Sequence, residues 1–191
     1  MKECKRIVVG ASGASGMPVL KECLKLIKEA KGYESQLIIT DSARVTYRQE
    51  MDTSEDELLK LADGIYPIEA IWERPASGSY KTAGMLVVPC SMKTVAGIAC
   101  GYTDNLLLRA ADVTIKEQRT LVLAARETPL SQIHLRNLYE LSKMPGVRII
   151  PPMMTFYNKP ESMDEMTYHI AAKLVEPFGI EAKEYRRWNG L

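Results

Sequence analysis

The chain has 191 residues, 46% of them hydrophobic, so it is long enough to form one domain with a sizeable core. Its 25 lysine and arginine residues almost balance its 24 aspartate and glutamate residues. That balance leaves no broad positive field to attract a nucleic acid or an anionic membrane surface, and we expect neither as a partner.

Short β-branched runs alternate with amphipathic stretches along the chain, which is typical of βαβ units and a mostly parallel sheet. We expect six strands, at 6–9, 35–39, 65–71, 85–88, 120–124 and 147–150. We expect seven helices, at 17–31, 41–50, 55–62, 91–100, 105–117, 131–143 and 162–177. The chain is thus predicted to be a single α/β domain over 1–191, with a possibly extended tail at about 178–191 that contains YRRWNG.

One pair of residues and two single residues predict helix ends. Ser54 with Glu57 has the spacing of a capping box, and Ser131 follows Pro129 as a candidate N-cap. Gly101 is a candidate stop after the fourth helix.

The four cysteines, Cys4, Cys23, Cys90 and Cys100, form no CxxC pair, and no signal-peptide pattern opens the chain. We therefore expect a cytoplasmic protein. The apolar runs are far shorter than the roughly 20 residues that span a bilayer, so no membrane segment is expected.

Polar segments follow the predicted strands where a parallel sheet binds its ligands, at the carboxyl ends. Hydroxyl groups, glycines and cations all occur there, a combination that suits an anionic ligand. The segments are GASGASG at 10–16, Thr40 with Asp41, PCSMKT at 89–94, RETP at 126–129 and PPMMTFYNKP at 151–160.

GASGASG would bring backbone N–H groups against a phosphate at the start of a helix. Its spacing departs from the dinucleotide pattern GxGxxG, and no GK[ST] follows for a nucleoside triphosphate. A tight turn without any ligand is the alternative. PCSMKT offers a second phosphate cradle through Ser91 and Thr94, or simply an N-cap.

Other candidate groups also have two explanations. Arg109, Asp112 and Lys116 share one helix face, either as an ion-pair ladder or as part of a site. Glu50 and Glu127 could each be a general base or a salt-bridge partner. Cys90 is a poor nucleophile candidate because neither histidine is obviously placed to activate it, and the histidines lack HExxH spacing, so we expect no metal site.

Several of these motifs together resemble the UbiX-type flavin prenyltransferases. The resemblance runs in order from the first strand to at least Lys173. It rests on GASG at 13–16, PASGS at 75–79, PCSMKT, the run NLLLRAADVTIKEQRTLVLAARETPLSQIHL at 105–135, and PPMMTFYNKP.

The resemblance implies a Rossmann or flavodoxin-like three-layer sandwich that joins a dimethylallyl group, delivered as dimethylallyl phosphate, to N5 and C6 of reduced FMN. The product, prenylated FMN, would serve a UbiD-type decarboxylase. The family forms homo-oligomers, commonly dodecamers with sites between subunits, which would explain why Met153, Met154 and Phe156 look exposed.

The resemblance also implies roles for individual residues. FMN would contact Ala14, Ser15, Gly16, Thr40, Ser91, Met92, Lys93, Thr94 and Arg126. The prenyl phosphate would lie among Trp72, Ser77, Gly78, Ser79, Arg109, Lys116, Tyr157 and Lys173. The catalytic residues would be Ser15, Glu50, Lys116 and Glu127.

The residue types suit this chemistry, because cations can stabilise a departing phosphate and an aromatic face can stabilise the allyl group. No DDxxD motif for magnesium-assisted ionisation of a diphosphate is present. Two alternatives remain open: an FMN-dependent decarboxylase of cysteine-type substrates, and a non-catalytic FMN-binding subunit of a hydroxyarylic acid decarboxylase.

Overall fold

A computed structural model describes residues 4–190 of the chain, which form alternating strands and helices. The strands are β1 (Lys5–Ala11), β2 (Tyr33–Ile39), β3 (Gly64–Tyr66), β4 (Gly84–Cys90), β5 (Thr120–Ala125) and β6 (Val147–Ile149). The helices are α1 (Met17–Glu29), α2 (Asp41–Glu50), α3 (Glu55–Leu59), α4 (Met92–Ala99), α5 (Leu106–Lys116), α6 (Gln132–Ser142) and α7 (Met163–Val175). Short 3₁₀ turns lie at Arg74–Ala76 and Glu176–Phe178.

The six strands form one sheet in the order β3-β2-β1-β4-β5-β6, and every pair is parallel. The chain first extends the sheet from β1 to β2 and β3 on one side. It then crosses back, so that β4 pairs with the other side of β1. In such a sheet the loops after β1 and β4 flank the point where ligands bind. The predicted parallel α/β sheet of six strands is confirmed.

Two apolar layers cover the two faces of the sheet. Alternate β1 residues point in opposite directions, so Val9 packs beneath α1 and α7 while Val8 packs beneath α4 and α5. The first layer also contains Tyr47 of α2, and the second contains Leu141 of α6. The predicted three-layer sandwich is therefore confirmed, with α5 and α7 on opposite faces.

Two of the predicted helix ends are confirmed. Ser131 Oγ accepts from the backbone N–H of His134 at 3.2 Å, and His134 Nδ1 accepts from the N–H of Ser131 at 3.2 Å. Gly101 follows α4 with φ +70°, a left-handed conformation that suits glycine.

Three local predictions are wrong. The Ser54 side chain makes no capping hydrogen bond, so the predicted capping box with Glu57 does not form. The strand expected at 65–71 is limited to Gly64–Tyr66, because Pro67 has no N–H to continue the ladder. Helices α1, α3 and α7 also end two or three residues earlier than predicted; α7 stops at Val175, before the turn that contains Pro177.

The segment 179–190 contains neither helix nor strand and runs back across α7. Its start is anchored by Ile180, which is buried, and the backbone N–H of Glu184 donates to Tyr168 Oη at 3.1 Å. Among the described residues, no helix combines the length and apolar character that crossing a bilayer requires.

Candidate active site

The loops after β1, β2, β4 and β5 meet at the carboxyl edge of the sheet, as expected for parallel strands. Backbone hydrogen bonds join them: Ser12 N donates to Pro89 O at 3.1 Å, and Thr40 N donates to Ala11 O at 3.0 Å. Arg126 begins the next loop, with its N–H donating to Cys90 O at 3.0 Å. The predicted FMN residues therefore belong to neighbouring loops of one edge.

The start of α1 is occupied by a carboxylate of the same chain. Glu50 Oε2 accepts from the backbone N–H groups of Gly16 at 2.9 Å and Met17 at 2.8 Å. The N–H of Gly16 is one of those that GASGASG was predicted to offer to a phosphate, and here it donates to Glu50 instead. The contact between GASGASG and a phosphate stays a prediction. Glu50 acts here as an internal anion at the positive end of the helix.

The glycine-rich turn lies directly against the start of α2. A Cβ atom at Gly13 would lie 2.6 Å from both Cβ and Oγ of Ser42, so only glycine fits without displacing α2. Thr40 caps α2 by accepting from Ala43 N at 3.1 Å, and its Oγ1 lies 3.1 Å from Ser42 Oγ. The predicted FMN residues Ala14 and Ser15 lie in this turn, with Ser15 exposed.

A cluster of hydroxyl groups lies at the start of α4. Ser91 Oγ accepts from Thr94 N at 3.4 Å and lies 3.2 Å from Thr94 Oγ1, so Ser91 is a helix N-cap. Ser12 Oγ accepts from Ser91 N at 2.9 Å and donates to Pro89 O at 3.2 Å. Ser12 was not predicted, although it lies inside GASGASG, and its side chain joins that turn to α4.

The remaining predicted residues of this edge differ in exposure. Met92 is buried in the core beneath α4, whereas Lys93 is exposed. Arg126 and Glu127 are both exposed, and Glu127 Oε1 accepts from the backbone N–H of Thr128 at 3.0 Å. The side chains of Arg126 and Glu127 are thus accessible to a ligand at the edge.

A second group of predicted residues lies along α5. Arg109 Nε donates to Ala76 O at 3.3 Å, and Arg119 donates to Gly78 O at 2.6 Å, so two arginines fix the segment 76–79 against the helix. Arg119 was not predicted. A Cβ at Gly78 would lie 2.7 Å from Lys116 Nζ, which shows how closely the segment approaches that cation.

The predicted prenyl-phosphate cations are each paired with a carboxylate of the same chain. Arg109 contacts Asp112 and Lys173 contacts Glu176, both at 2.7 Å, while Lys116 contacts Glu117 at 2.6 Å. The predicted ladder therefore forms only between Arg109 and Asp112. The hydrogen bond from Lys116 lowers the pKa of Glu117, and the hydrogen bond to Glu176 raises the pKa of Lys173.

One chain does not bring all the predicted prenyl-phosphate residues together. Lys116 lies at the end of α5, beside the start of β5 and thus away from the carboxyl edge. Lys173 lies on α7, across the sheet from α5, with Tyr157 in the segment before α7. Trp72 is separate again, with 79% of its surface exposed after β3. The predicted prenyl-phosphate residues therefore lie in separate places within one chain.

A cavity of about 790 Å³ lies beside α1, α7 and the C-terminal segment. It is lined by residues such as Lys21, Met51, Tyr168 and Arg186, and by none of the predicted site residues. Within residues 4–190, no three His, Cys, Asp or Glu side chains are grouped closely enough to hold a metal ion.

Comparison with known proteins identifies the family. The flavoprotein family model matches residues 1–175. The flavin prenyltransferase LpdB of Lactiplantibacillus plantarum is 47% identical over 186 residues, which are 97% of this chain and 99% of that protein. A probable UbiX-like flavin prenyltransferase of Sedimentibacter hydroxybenzoicus is 44% identical over 185 residues, 97% of each chain.

A solved structure agrees with this assignment. AnUbiX (PadA1), in complex with FMN and dimethylallyl pyrophosphate, superposes with a TM-score of 0.95 at 38% identity, over 99% of this chain and 100% of that one. The chain therefore belongs to the flavoprotein family and, within it, to the UbiX-like flavin prenyltransferases.

Proposed function

We propose that the chain transfers a dimethylallyl group from dimethylallyl phosphate to N5 and C6 of reduced FMN, and that a UbiD-type decarboxylase receives the prenylated FMN. The observation that carries the proposal is the near full-length identity with LpdB, 47% over 97% of this chain. The geometry supports it in three further respects.

The carboxyl edge offers groups suited to FMN. Because Glu50 occupies the start of α1, the phosphate donors are the hydroxyl and N–H groups at the starts of α2 and α4, around Thr40, Ser91 and Thr94. Arg126, exposed at the same edge, supplies a positive charge. Ala14, Ser15, Gly16, Met92 and Lys93 complete the proposed FMN contacts.

The cations along α5 and α7 suit the leaving phosphate. Reduced FMN supplies the nucleophilic atoms, and breaking the allylic C–O bond leaves a phosphate anion that Arg109, Lys116 and Lys173 stabilise. Each of these cations is paired with a carboxylate of its own chain, and the phosphate would compete with that carboxylate for the cation. Ser77, Gly78, Ser79 and Tyr157 complete the proposed phosphate contacts, and Trp72 offers an aromatic face to the allyl carbon atoms.

The separation of these groups points to a site shared between copies of the chain. Lys116 and Lys173 lie on opposite faces of the sheet, so a single phosphate would meet both only if they came from different subunits. Met153, Met154 and Phe156 are 71%, 56% and 67% exposed, and a partner subunit would cover them. A UbiX-like protein of Escherichia coli O157:H7, described as a dodecameric FMN-dependent decarboxylase, is 43% identical with a TM-score of 0.94 over 97% of this chain and all of that one. We propose a homo-oligomer, and specifically a dodecamer.

The remaining roles are assigned to two carboxylates and a hydroxyl. Closing a fourth ring at C6 requires one proton on the neighbouring alkene carbon and releases one proton from C6. We assign acceptance of the C6 proton to Glu127, which is exposed at the carboxyl edge, or to the released phosphate. Glu50 positions Ser15 indirectly, because it holds the turn that contains Ser15. Ser15 presents its hydroxyl at the same edge.

The test is to mix the purified protein anaerobically with reduced FMN and dimethylallyl phosphate, and to analyse the flavin by mass spectrometry. We expect the flavin mass to rise by one dimethylallyl group. Recovery of unmodified FMN alone, from protein that binds FMN, would contradict the proposal. Adding the product to an apo-decarboxylase of the UbiD type tests the proposed recipient.

A lysine variant separates prenyl transfer from the two alternatives. Lys116→Ala should still bind FMN but should no longer support a partner decarboxylase. If FMN binding alone matters, the variant will support the partner as well as the wild type does. Turnover of a cysteine-type substrate by the wild type would instead favour the cysteine decarboxylase.

A further inference from the structure

His169 lies on α7 with only 6% of its surface exposed, and polar atoms face both of its ring nitrogens. Nδ1 lies 3.1 Å from Thr155 Oγ1, and Nε2 lies 3.2 Å from the carbonyl oxygen of Arg186. Nε2 also lies 3.4 Å from the hydroxyl oxygen of Tyr157, a long contact. The buried ring thus joins the segment before α7 to the C-terminal segment.

The chemistry of these partners sets the direction of each hydrogen bond. A carbonyl oxygen can only accept, so Nε2 must carry the hydrogen that Arg186 O receives. In the neutral ring Nδ1 is then an acceptor, and the hydroxyl of Thr155 donates to it at 3.1 Å rather than to Asn158 Oδ1, which lies farther away at 3.5 Å. The Tyr157 oxygen faces the same Nε2–H as a second, weaker acceptor, so its own hydroxyl hydrogen is available to an external acceptor.

The C-terminal segment adds further contacts around Tyr157 and Lys173. Trp188 packs edge-on against Tyr157 with the ring centroids 5.7 Å apart. Arg187 pairs with Glu176, whose other oxygen lies 2.7 Å from Lys173 Nζ. The same segment therefore contacts Tyr157 directly and Lys173 through Glu176.

We propose that His169 is a positioning residue, which holds Tyr157 and the segment 185–188 together so that Tyr157 donates its hydroxyl hydrogen to a phosphate oxygen of the prenyl donor. The role in catalysis rests on the proposed function. The role of His169 in holding the segment 185–188 does not rest on the proposed function, because it follows from the contacts of His169 with Arg186 and Tyr157.

The test compares His169→Phe, which keeps a planar ring without nitrogen atoms, with His169→Gln, which restores an N–H donor. For His169→Phe we expect the KM for dimethylallyl phosphate to rise about tenfold, with the Kd for FMN within about twofold of wild type. Tryptic cleavage after Arg186 and Arg187 should be faster than in the wild type. His169→Gln should recover part of both effects.

A second pair of variants covers the case in which His169→Phe does not fold. Thr155→Val removes the donor to Nδ1 with little change in shape, and Thr155→Ser keeps it. We expect Thr155→Val to raise the KM and the cleavage rate, and Thr155→Ser to change neither. The proposal would be overturned if both His169→Phe and Thr155→Val had the KM and the cleavage rate of the wild type. Faster cleavage with an unchanged KM would overturn the part of the proposal in which His169 positions Tyr157.

Cleavage also distinguishes this proposal from the proposed function. If the wild type makes no prenylated FMN, the proposed function fails, yet the cleavage rates still decide whether His169 holds the segment. Cleavage by trypsin at the wild-type rate in His169→Phe would then overturn that holding role on its own.

Discussion

Glu50 Oε2 accepts a hydrogen bond from the backbone N–H of Gly16 at 2.9 Å, and so joins the end of α2 to the turn before α1. The adjacent N–H of Met17 donates to the same oxygen at 2.8 Å. A helix start of this kind is an anion site, and here a carboxylate of the chain fills it. The turn is therefore held in shape before any ligand arrives.

Removing this carboxylate should destabilise the protein. We expect Glu50→Ala to lower the free energy of unfolding by about 2 kcal/mol, since it removes two charge-assisted hydrogen bonds and the charge at the helix start. Glu50→Gln keeps an acceptor oxygen and should cost about 1 kcal/mol. Urea unfolding at one fixed subunit concentration measures both changes.

The matched control for Glu50 is Glu57→Ala. Glu57 is exposed on α3, and Ser54 forms no side-chain cap there. The free energy of unfolding of the Glu57→Ala protein should therefore differ from that of the wild type by less than about 0.5 kcal/mol. Equal losses in Glu50→Ala and Glu57→Ala would contradict the role of Glu50.

Much of the fold could be predicted because its signals are local. The β-branched runs placed the six strands, and Gly101 and Ser131 marked helix ends through their own backbone and side-chain chemistry. The capping box at Ser54 failed because a Ser-x-x-Glu spacing permits the two bonds without requiring them. The third strand was overextended because apolar residues continue past Pro67.

The site was less predictable because its decisive contacts are distant in sequence. Glu50 and Gly16 are 34 positions apart in the sequence, and Ser12 and Ser91 are 79 positions apart. No spacing rule predicts contacts over such separations. Parallel strands did predict that the FMN residues would share one edge. Whether Lys173 could reach Lys116 depended on which face of the sheet each helix covers, and the sequence pattern does not determine that.

Gly78 should be needed for phosphate binding rather than for stability. A Cβ there would overlap Glu117 Oε1 and lie 2.7 Å from Lys116 Nζ, and both are ends of flexible side chains that can move. We expect Gly78→Ala to displace Lys116 and raise the KM for dimethylallyl phosphate about tenfold, the equivalent of one charge-assisted hydrogen bond. Steady-state kinetics measure the KM, and the Kd for FMN, which should not change, is the internal control. An unchanged KM would show that Lys116 does not bind the donor.

Cys90 should be unreactive in the folded protein. It is fully buried, and burial raises the pKa of its thiol to about 12, so only about one molecule in ten thousand carries the thiolate at pH 8. We expect iodoacetamide at pH 8 to leave Cys90 unmodified until urea unfolds the chain, as followed by peptide mass spectrometry. Rapid alkylation of Cys90 in the native protein would contradict this and make Cys90 a candidate nucleophile again.

Acid should release the C-terminal segment from α7 through Glu176. Hydrogen bonds from Lys173, and then from Arg187, lower the pKa of Glu176 below its ordinary value of 4.5. The stabilisation from these pairs is thus fully present above pH 4.5 and is lost as the pH falls through the lower folded-state pKa. In a Trp72→Phe background, Trp188 fluorescence should change with a midpoint below pH 4.5, while circular dichroism shows the helices intact. Adding Glu176→Gln should abolish this transition, because the amide does not titrate; the same midpoint in that variant would assign the release to another group.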